Sequence, residues 1–267
     1  MKLFDKVCEK SAQGDAWRRQ LKFAESFWQS MRTNKNLGYD RDFVTRINRA
    51  EVDKADFDMT VLGGTLGLIA ACYFAKQNFN VAVVDRFKEI KGREQEWNIT
   101  YDDLLVLEKL GILSKEQIDS SIVSRFKPVR VSIHGRGSYE VENCLNLGLS
   151  PRIIIEHLKT NFLSFGGIIF TDNIFESCEI YDNMALVKTD KMTLKTRLVI
   201  DAMGHFSPIV KQIRKDQTPD SVCMVVGGSA KYPTKDKSAD VLATISNCED
   251  NGLQNYWQSF PSFDGRT

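Results

Sequence analysis

Apolar positions change period several times along the 267 residues, and each change marks an element. Trp17, Leu21, Ala24, Trp28 and Met31 recur at four-three-four-three spacing, which places them on one face of a helix, opposite Arg18, Arg19, Lys22 and Gln29. A basic face beside aromatics fits a helix packed on the main domain or one in peripheral contact with a membrane. Asp15 and Glu25 dilute the charge and favour packing. Residues 34–56 are polar and read as a connector. The pattern then turns to β at Phe57–Leu62, followed by the glycine turn Gly63-Gly64-Thr65-Leu66-Gly67 and an almost continuous apolar helix to Lys76. Val81-Ala82-Val83-Val84 ends at Asp85. Strand, glycine turn, buried helix and strand make a βαβ unit.

Downstream, Thr100 with Leu104, Leu107 and Leu110 predicts a helix closed by Gly111. Ser114 with Gln117 is a capping box that opens the next one. Val131 and Ile133, then Tyr139 and Val141, alternate around Gly135-Arg136-Gly137 as a hairpin. Ser150 and Pro151 start a helix that Gly166-Gly167 stops. Short strands follow at Ile168–Thr171, across a meander from Ile174 to Val187, at Thr193–Asp201 and at Val222–Val226. The fold class is therefore α/β, with a Rossmann-type domain, an inserted β-meander and an N-terminal helical extension. The expected domains are 1–55 (helical extension), 56–220 (dinucleotide-binding domain) and 221–267 (the start of an antiparallel substrate-domain sheet).

Composition removes several classes. Lys and Arg number 36 against 35 Asp and Glu, so the basic excess of a nucleic-acid binder is missing. No apolar run approaches 18 residues, which leaves no transmembrane segment, and the N-terminus shows no secretory signal. Six scattered cysteines without a CxxC pair favour a soluble protein in a reducing, intracellular compartment. His134, His157 and His205 lack metal-ligand spacing, so no metal site is expected. Neither a GxSxG elbow nor a Walker lysine nor a paired-carboxylate motif is present.

Two segments carry candidate chemistry. Gly64 and Gly67 occupy the second and third positions of G-x-G-x-x-G, for close phosphate approach and helix packing, while Leu62 stands at the first and Gly63 lends the turn its flexibility. Asp85 lies 18 residues beyond Gly67 at the end of the next strand, where a carboxylate accepts hydrogen bonds from a ribose diol. With the first glycine missing, an ordinary turn and a solvated strand end are the alternatives. The second segment is the strand ending Asp201-Ala202-Met203-Gly204, with Ser207-Pro208 and a short helix through Val210 and Arg214 behind it.

That second segment resembles the second cofactor motif of FAD-dependent oxidoreductases built like aromatic hydroxylases, and the order of elements between the two segments matches as well. Within that superfamily, the chain is most similar to plant and algal lycopene beta/epsilon cyclase-like FAD/NAD(P)-binding oxidoreductases. The similarity runs through residues 63–67, Gly92-Arg93-Glu94-Gln95-Glu96-Trp97-Asn98-Ile99, residues 200–204 and Phe206-Ser207-Pro208. It implies FAD as cofactor and NAD(P)H as a candidate electron donor. The implied cofactor-binding residues are Gly63, Gly64, Thr65, Leu66, Gly67, Asp85, Arg86, Arg93, Asp201 and Gly204. Arg93 then faces a flavin phosphate, or else pairs with Glu94 or Glu96. Arg86 is a cofactor contact or simply exposed. Trp97 and Asn98 border the isoalloxazine, or Trp97 is a core aromatic, and His205 is an acid/base group or a structural turn residue.

The implied function is an FAD-dependent oxidoreductase or monooxygenase acting on an apolar small molecule, isoprenoid or carotenoid in kind. A redox-neutral, lycopene cyclase-like isomerase and a non-catalytic dinucleotide-fold binding or interaction protein are the alternatives. The acidic motif of true cyclases falls beyond residue 267. The resemblance points to plastids, although no transit peptide is visible. In this superfamily a third segment carrying Gly-Asp closes over the flavin. Tyr256 to Phe263 reads as the middle of the substrate sheet, so the chain is expected to end before that segment.

Overall fold

The βαβ unit forms where the apolar pattern places it. The computed structural model describes residues 3–32, 41–50, 54–204, 207–214, 217, 223, 225, 227–231, 238–249, 252–262 and 264–267. Helices α1 (Leu3–Glu9) and α2 (Gly14–Arg32) precede the short strand β1 (Val44–Arg46). Strand β2 (Phe57–Leu62), helix α3 (Gly67–Lys76) and strand β3 (Val81–Val84) are the βαβ unit. Next come β4 (Trp97–Ile99), the single turns α4 (Tyr101–Leu104) and α5 (Val106–Lys109), α6 (Lys115–Ser121) and β5 (Ile122–Arg125). The hairpin is β6 (Val129–Ile133) with β7 (Gly137–Val141), and β8 (Leu147–Leu149) leads into α7 (Pro151–Ser164) and β9 (Ile168–Phe170). The meander comprises β10 (Phe175–Ile180), β11 (Ala185–Thr189) and β12 (Thr193–Asp201). Helix α8 (Pro208–Arg214) and strands β13 (Ala239–Thr244) and β14 (Tyr256–Ser259) complete the chain.

Local chemistry explains most starts. The Ser114–Gln117 capping box is made in both directions, and Ser150 accepts from the Ile153 amide with Pro151 at the first helical position. The helix expected over 100–111 is instead two short turns either side of Leu105, with Thr100 at the N-cap but making no side-chain cap hydrogen bond. The Thr100 hydroxyl accepts from the Leu145 amide instead, at 3.2 Å. Of the expected strand 222–226, residues 222, 224 and 226 lie outside the described residues, and the described Cys223 and Val225 belong to no strand. Residues 34–40 and 51–53 of the expected connector also lie outside, and β1 falls within its described part.

Two compact units divide the chain: residues 1–44 with 208–227, and residues 45–207 with 228–267. In the smaller, α1 meets α2 at Gly14, where a Cβ would lie 2.9 Å from Cys8 Cα. The Gln212 side chain accepts from the amides of Phe43 and Val44 at 2.8 and 2.7 Å and donates to the Val44 carbonyl. No described helix is long and apolar enough to cross a membrane.

The larger unit is built on a seven-stranded sheet of order β1-β10-β11-β12-β2-β3-β9. Strands β12, β2, β3 and β9 run parallel, and the meander β10-β11-β12 is antiparallel. Met59, Val61, Val81 and Val83 present one face to Leu68, Ala71, Cys72 and Ala75 of α3 and to Ile155, Leu158 and Phe162 of α7, all buried. Two smaller sheets follow, β14-β13-β6-β7 and β4-β8-β5. In the latter, Trp97, Ile99, Leu147, Leu149 and Ile122 face the same core.

Candidate functional site

Strands β12, β2 and β3 end side by side: Asp201 pairs with Leu62, and Leu62 with Val84. Three turns, beginning at Gly63, Asp85 and Ala202, therefore leave one edge of the sheet together. In open α/β sheets ligands bind at this carboxyl edge.

The glycine turn is shaped by what its neighbours leave no room for. Gly63 has φ +102°, its amide donates to the Val84 carbonyl at 2.8 Å, and a Cβ there would lie 2.5 Å from the Ala202 carbonyl oxygen. A Cβ on Gly64 would lie 2.7 Å from Ile90 Cγ1 and 3.1 Å from Asp85 Oδ2. One on Gly67 would lie 2.8 Å from Val61 Cγ1 and 3.0 Å from Ala202 Cβ, so α3 rests directly on its strands. Thr65 is half-buried, and Leu66, in the N-cap position of α3, is 60% exposed. The first amides of α3 have no intrahelical acceptor, and the helix dipole is positive there.

Asp85 is buried, and its carboxylate organises this turn. Oδ2 accepts from the Gly64 amide at 2.7 Å and Oδ1 from the Phe87 amide at 2.9 Å. Each oxygen keeps a further lone pair. Asp201 does the same for the second turn: Oδ1 accepts from the Met203 amide at 3.0 Å, and Oδ2 accepts a short hydrogen bond from the buried Ser207 hydroxyl. The Ser207 amide donates to the Gly204 carbonyl at 3.0 Å. Ala202 joins the two turns, covering Gly63 with its carbonyl and Gly67 with its methyl.

The arginines stand differently. Arg86 is exposed, its guanidinium 4.8 Å from the centre of the Phe87 ring. Arg93, also exposed, donates to the Gln95 and Glu96 carbonyls at 3.1 and 3.3 Å and so braces its own loop. Glu94 pairs with Arg152 instead, and Glu96 accepts from Ser262. Trp97 packs half-buried against the core, with Asn98 on the opposite face of its strand. His205 and Phe206 lie outside the described residues. Sequence reasoning passed over Ile90, whose side chain floors the glycine turn; its one signal is that it is the single aliphatic residue of a mainly charged loop, 86–96.

Burial pushes the Cys72 thiol up to about 12 and the Cys178 thiol up to about 11, so both are neutral core groups and not nucleophiles.

No protein-family model and no curated protein matches the sequence. Among solved structures the chain is similar to an aklavinone-11 hydroxylase in a ternary complex with FAD and aklavinone. The TM-score is 0.51 at 18% identity, covering 61% of this chain and 35% of that one. It is also similar to the halogenase PltM in complex with phloroglucinol and FAD, with a TM-score of 0.48, 18% identity and coverage of 59% of this chain and 36% of that one. The chain thus spans little more than a third of the proteins it resembles. Over the aligned region it has the fold of the aklavinone-11 hydroxylase, a mixed α/β architecture.

Proposed function

We propose that the larger unit binds FAD and that the protein is an FAD-dependent oxidoreductase of the hydroxylase kind, acting on a small organic molecule. The observation that carries this reading is steric. At one sheet edge three glycines sit where no side chain fits, beside a helix N-terminus and a buried carboxylate with lone pairs to spare. Such an edge admits a pyrophosphate to the backbone and offers Asp85 to a ribose diol.

Gly63, Gly64 and Gly67 would hold the pyrophosphate with the first amides of α3, and Thr65 and Leu66 would flank it. The turn tied by Asp201, Gly204 and Ser207 would lie along the rest of the cofactor, and Arg86 and Arg93 would supply positive charge. When bound, FAD supplies the redox chemistry, while the chain orients the reactants and excludes water. NAD(P)H is the electron donor we assign. An apolar, isoprenoid or carotenoid substrate, the lycopene cyclase-like branch and a plastid location belong to the same proposal. They rest on the sequence resemblance through residues 63–67, 92–99, 200–204 and 206–208 alone.

One observation favours a second reading. Leu62 stands at the first glycine position and is buried in the strand, so a dinucleotide-shaped binding module without turnover is the rival. Purified protein incubated with FAD and freed of excess separates the outcomes. Retained visible flavin absorption, with NAD(P)H consumed on addition of substrate, is expected for the enzyme. Retained flavin that never turns over supports the binding module, and colourless protein overturns the flavoenzyme reading.

A further inference from the structure

Among the described residues, four buried side-chain polar atoms have no hydrogen-bond partner: Thr60 Oγ1, Asn98 Nδ2, Ser124 Oγ and Ser246 Oγ. Two of the four share a row. In the sheet β4-β8-β5, Asn98 and Ser124 both pair with Gly148, from opposite sides. Cross-strand partners project to the same face, so this row faces away from the core that Trp97, Ile99, Leu147, Leu149 and Ile122 occupy. Gly148 puts no side chain between the two, and its neighbours crowd that place, nearest the mobile end of the Glu96 side chain. The place its Cβ would take lies 2.7 Å from Glu96 Oε2, 3.1 Å from Ser124 Cβ and 3.3 Å from Ser124 Oγ. The other Glu96 oxygen is anchored, accepting from the Ser262 hydroxyl at 2.8 Å. Asn98, Ser124 and Glu96 are each half-buried, so the row lies just below the surface.

Buried polar groups are normally paired, and leaving two unpaired side by side destabilises the free protein. Apolar residues would form this strand row better, which marks a place where stability is given up for recognition. The available atoms define the complement: an amide N–H and a serine hydroxyl to donate, and a carboxylate oxygen to accept. A ligand hydroxyl, which accepts and donates at one oxygen, fits all three.

We propose that Glu96, Asn98 and Ser124, set around Gly148, form a recognition site for a neutral hydroxyl group on the small-molecule substrate. This rests on the small-molecule reading above and sharpens it, since the substrate then has a polar end on an otherwise apolar body. Benzyl alcohol serves as the probe and toluene as its hydroxyl-free control, added to the full chain with and without FAD. In an NMR titration, benzyl alcohol is expected to move the Asn98 side-chain amide signals, and toluene is not. Ser124→Ala should weaken benzyl alcohol about tenfold, the weight of one lost hydrogen bond to a buried partner, and Gly148→Ala should abolish its binding.

The apo protein gives an independent reading. Ser124→Ala and Asn98→Leu should leave Tm unchanged or raise it, because each removes an unpaired group. A fall of several degrees in both variants, or equal binding of alcohol and toluene, or no alcohol binding at all, would overturn the site. FAD uptake without alcohol binding defeats this inference alone, whereas alcohol binding without FAD uptake defeats the flavin reading and leaves the row standing.

Discussion

The carboxyl edge of the seven-stranded sheet and the polar row of the three-stranded sheet are both candidate sites, yet they are built on opposite principles. At the edge both carboxylates are committed: Asp85 to two amides, Asp201 to an amide and a hydroxyl. What waits for a ligand there is backbone and the spare lone pairs of Asp85, and the site shows itself by the absence of side chains. In the row the side chains are present and two of them lack partners. A surface that meets phosphate through main-chain amides must be rigid before the ligand arrives, whereas one that reads a polar group with side chains must hold them in reserve. The first arrangement stabilises the fold; the second costs stability.

This difference is open to breaking by substitution, beginning where the effect is largest. Gly63→Ala combines a left-handed backbone with a collision against the Ala202 carbonyl. A loss of about 2–5 kcal/mol is expected in denaturant unfolding, from backbone strain and overpacking together. Next, Asp85→Ala strips the acceptor from two amides at a buried position. It should cost about 2–4 kcal/mol, as charge-assisted hydrogen bonds are lost, while Asp85→Asn, which keeps one acceptor, should cost about half.

A matched pair then sets one region against the other. Ser207→Ala removes a donor to Asp201 and should cost about 1 kcal/mol, whereas Ser124→Ala should cost nothing measurable. Equal losses in urea titrations would erase the distinction between the two sites.

The smallest effect lies on the meander, where Lys188 pairs with Glu179. The hydrogen bond from Lys188 holds the Glu179 carboxyl below its ordinary 4.5, and the bond to Glu179 holds the Lys188 ammonium above its ordinary 10.5. A depressed carboxyl stabilises the fold above its unfolded value and loses that contribution as pH falls; a raised ammonium stabilises below its unfolded value and loses it as pH rises. The stability gap between the native chain and Lys188→Met should therefore persist between those limits and close below pH 4.5 and above pH 10.5, as followed by thermal unfolding across pH. Both groups are partly solvated, so the gap is small.

Much of the fold was legible because its signals are local. The βαβ unit declares itself through a six-residue strand ending Val61-Leu62, a glycine turn and small residues along α3, and Ser114-Gln117 and Ser150-Pro151 announce their helices within four residues. The sheet β4-β8-β5 was not legible. Its strands are three or four residues long, too short to show alternation, and they join segments distant in sequence. The parallel pairing of β13 with β6 is as remote, Asp240 lying opposite Arg130 and bonded to it at 2.9 Å.

At the edge, the glycines and Asp85 stand out as residue types in a spacing. That Asp85 takes the Gly64 amide, that Ile90 floors the turn and that Ala202 clasps both segments depend on three strands ending together, which no single stretch encodes. The unpaired state of Asn98 and Ser124 is less legible still, since only the finished packing shows which polar groups lack a partner.

The claim that the glycine edge holds a dinucleotide is tested most directly by calorimetric titration of the full chain with FAD and, separately, with riboflavin, which lacks the pyrophosphate and adenosine. FAD should bind at about one equivalent and riboflavin at least about tenfold more weakly, a difference of about 1.4 kcal/mol or more drawn from phosphate and ribose contacts. Equal affinity for the two, or no heat from FAD, would contradict it.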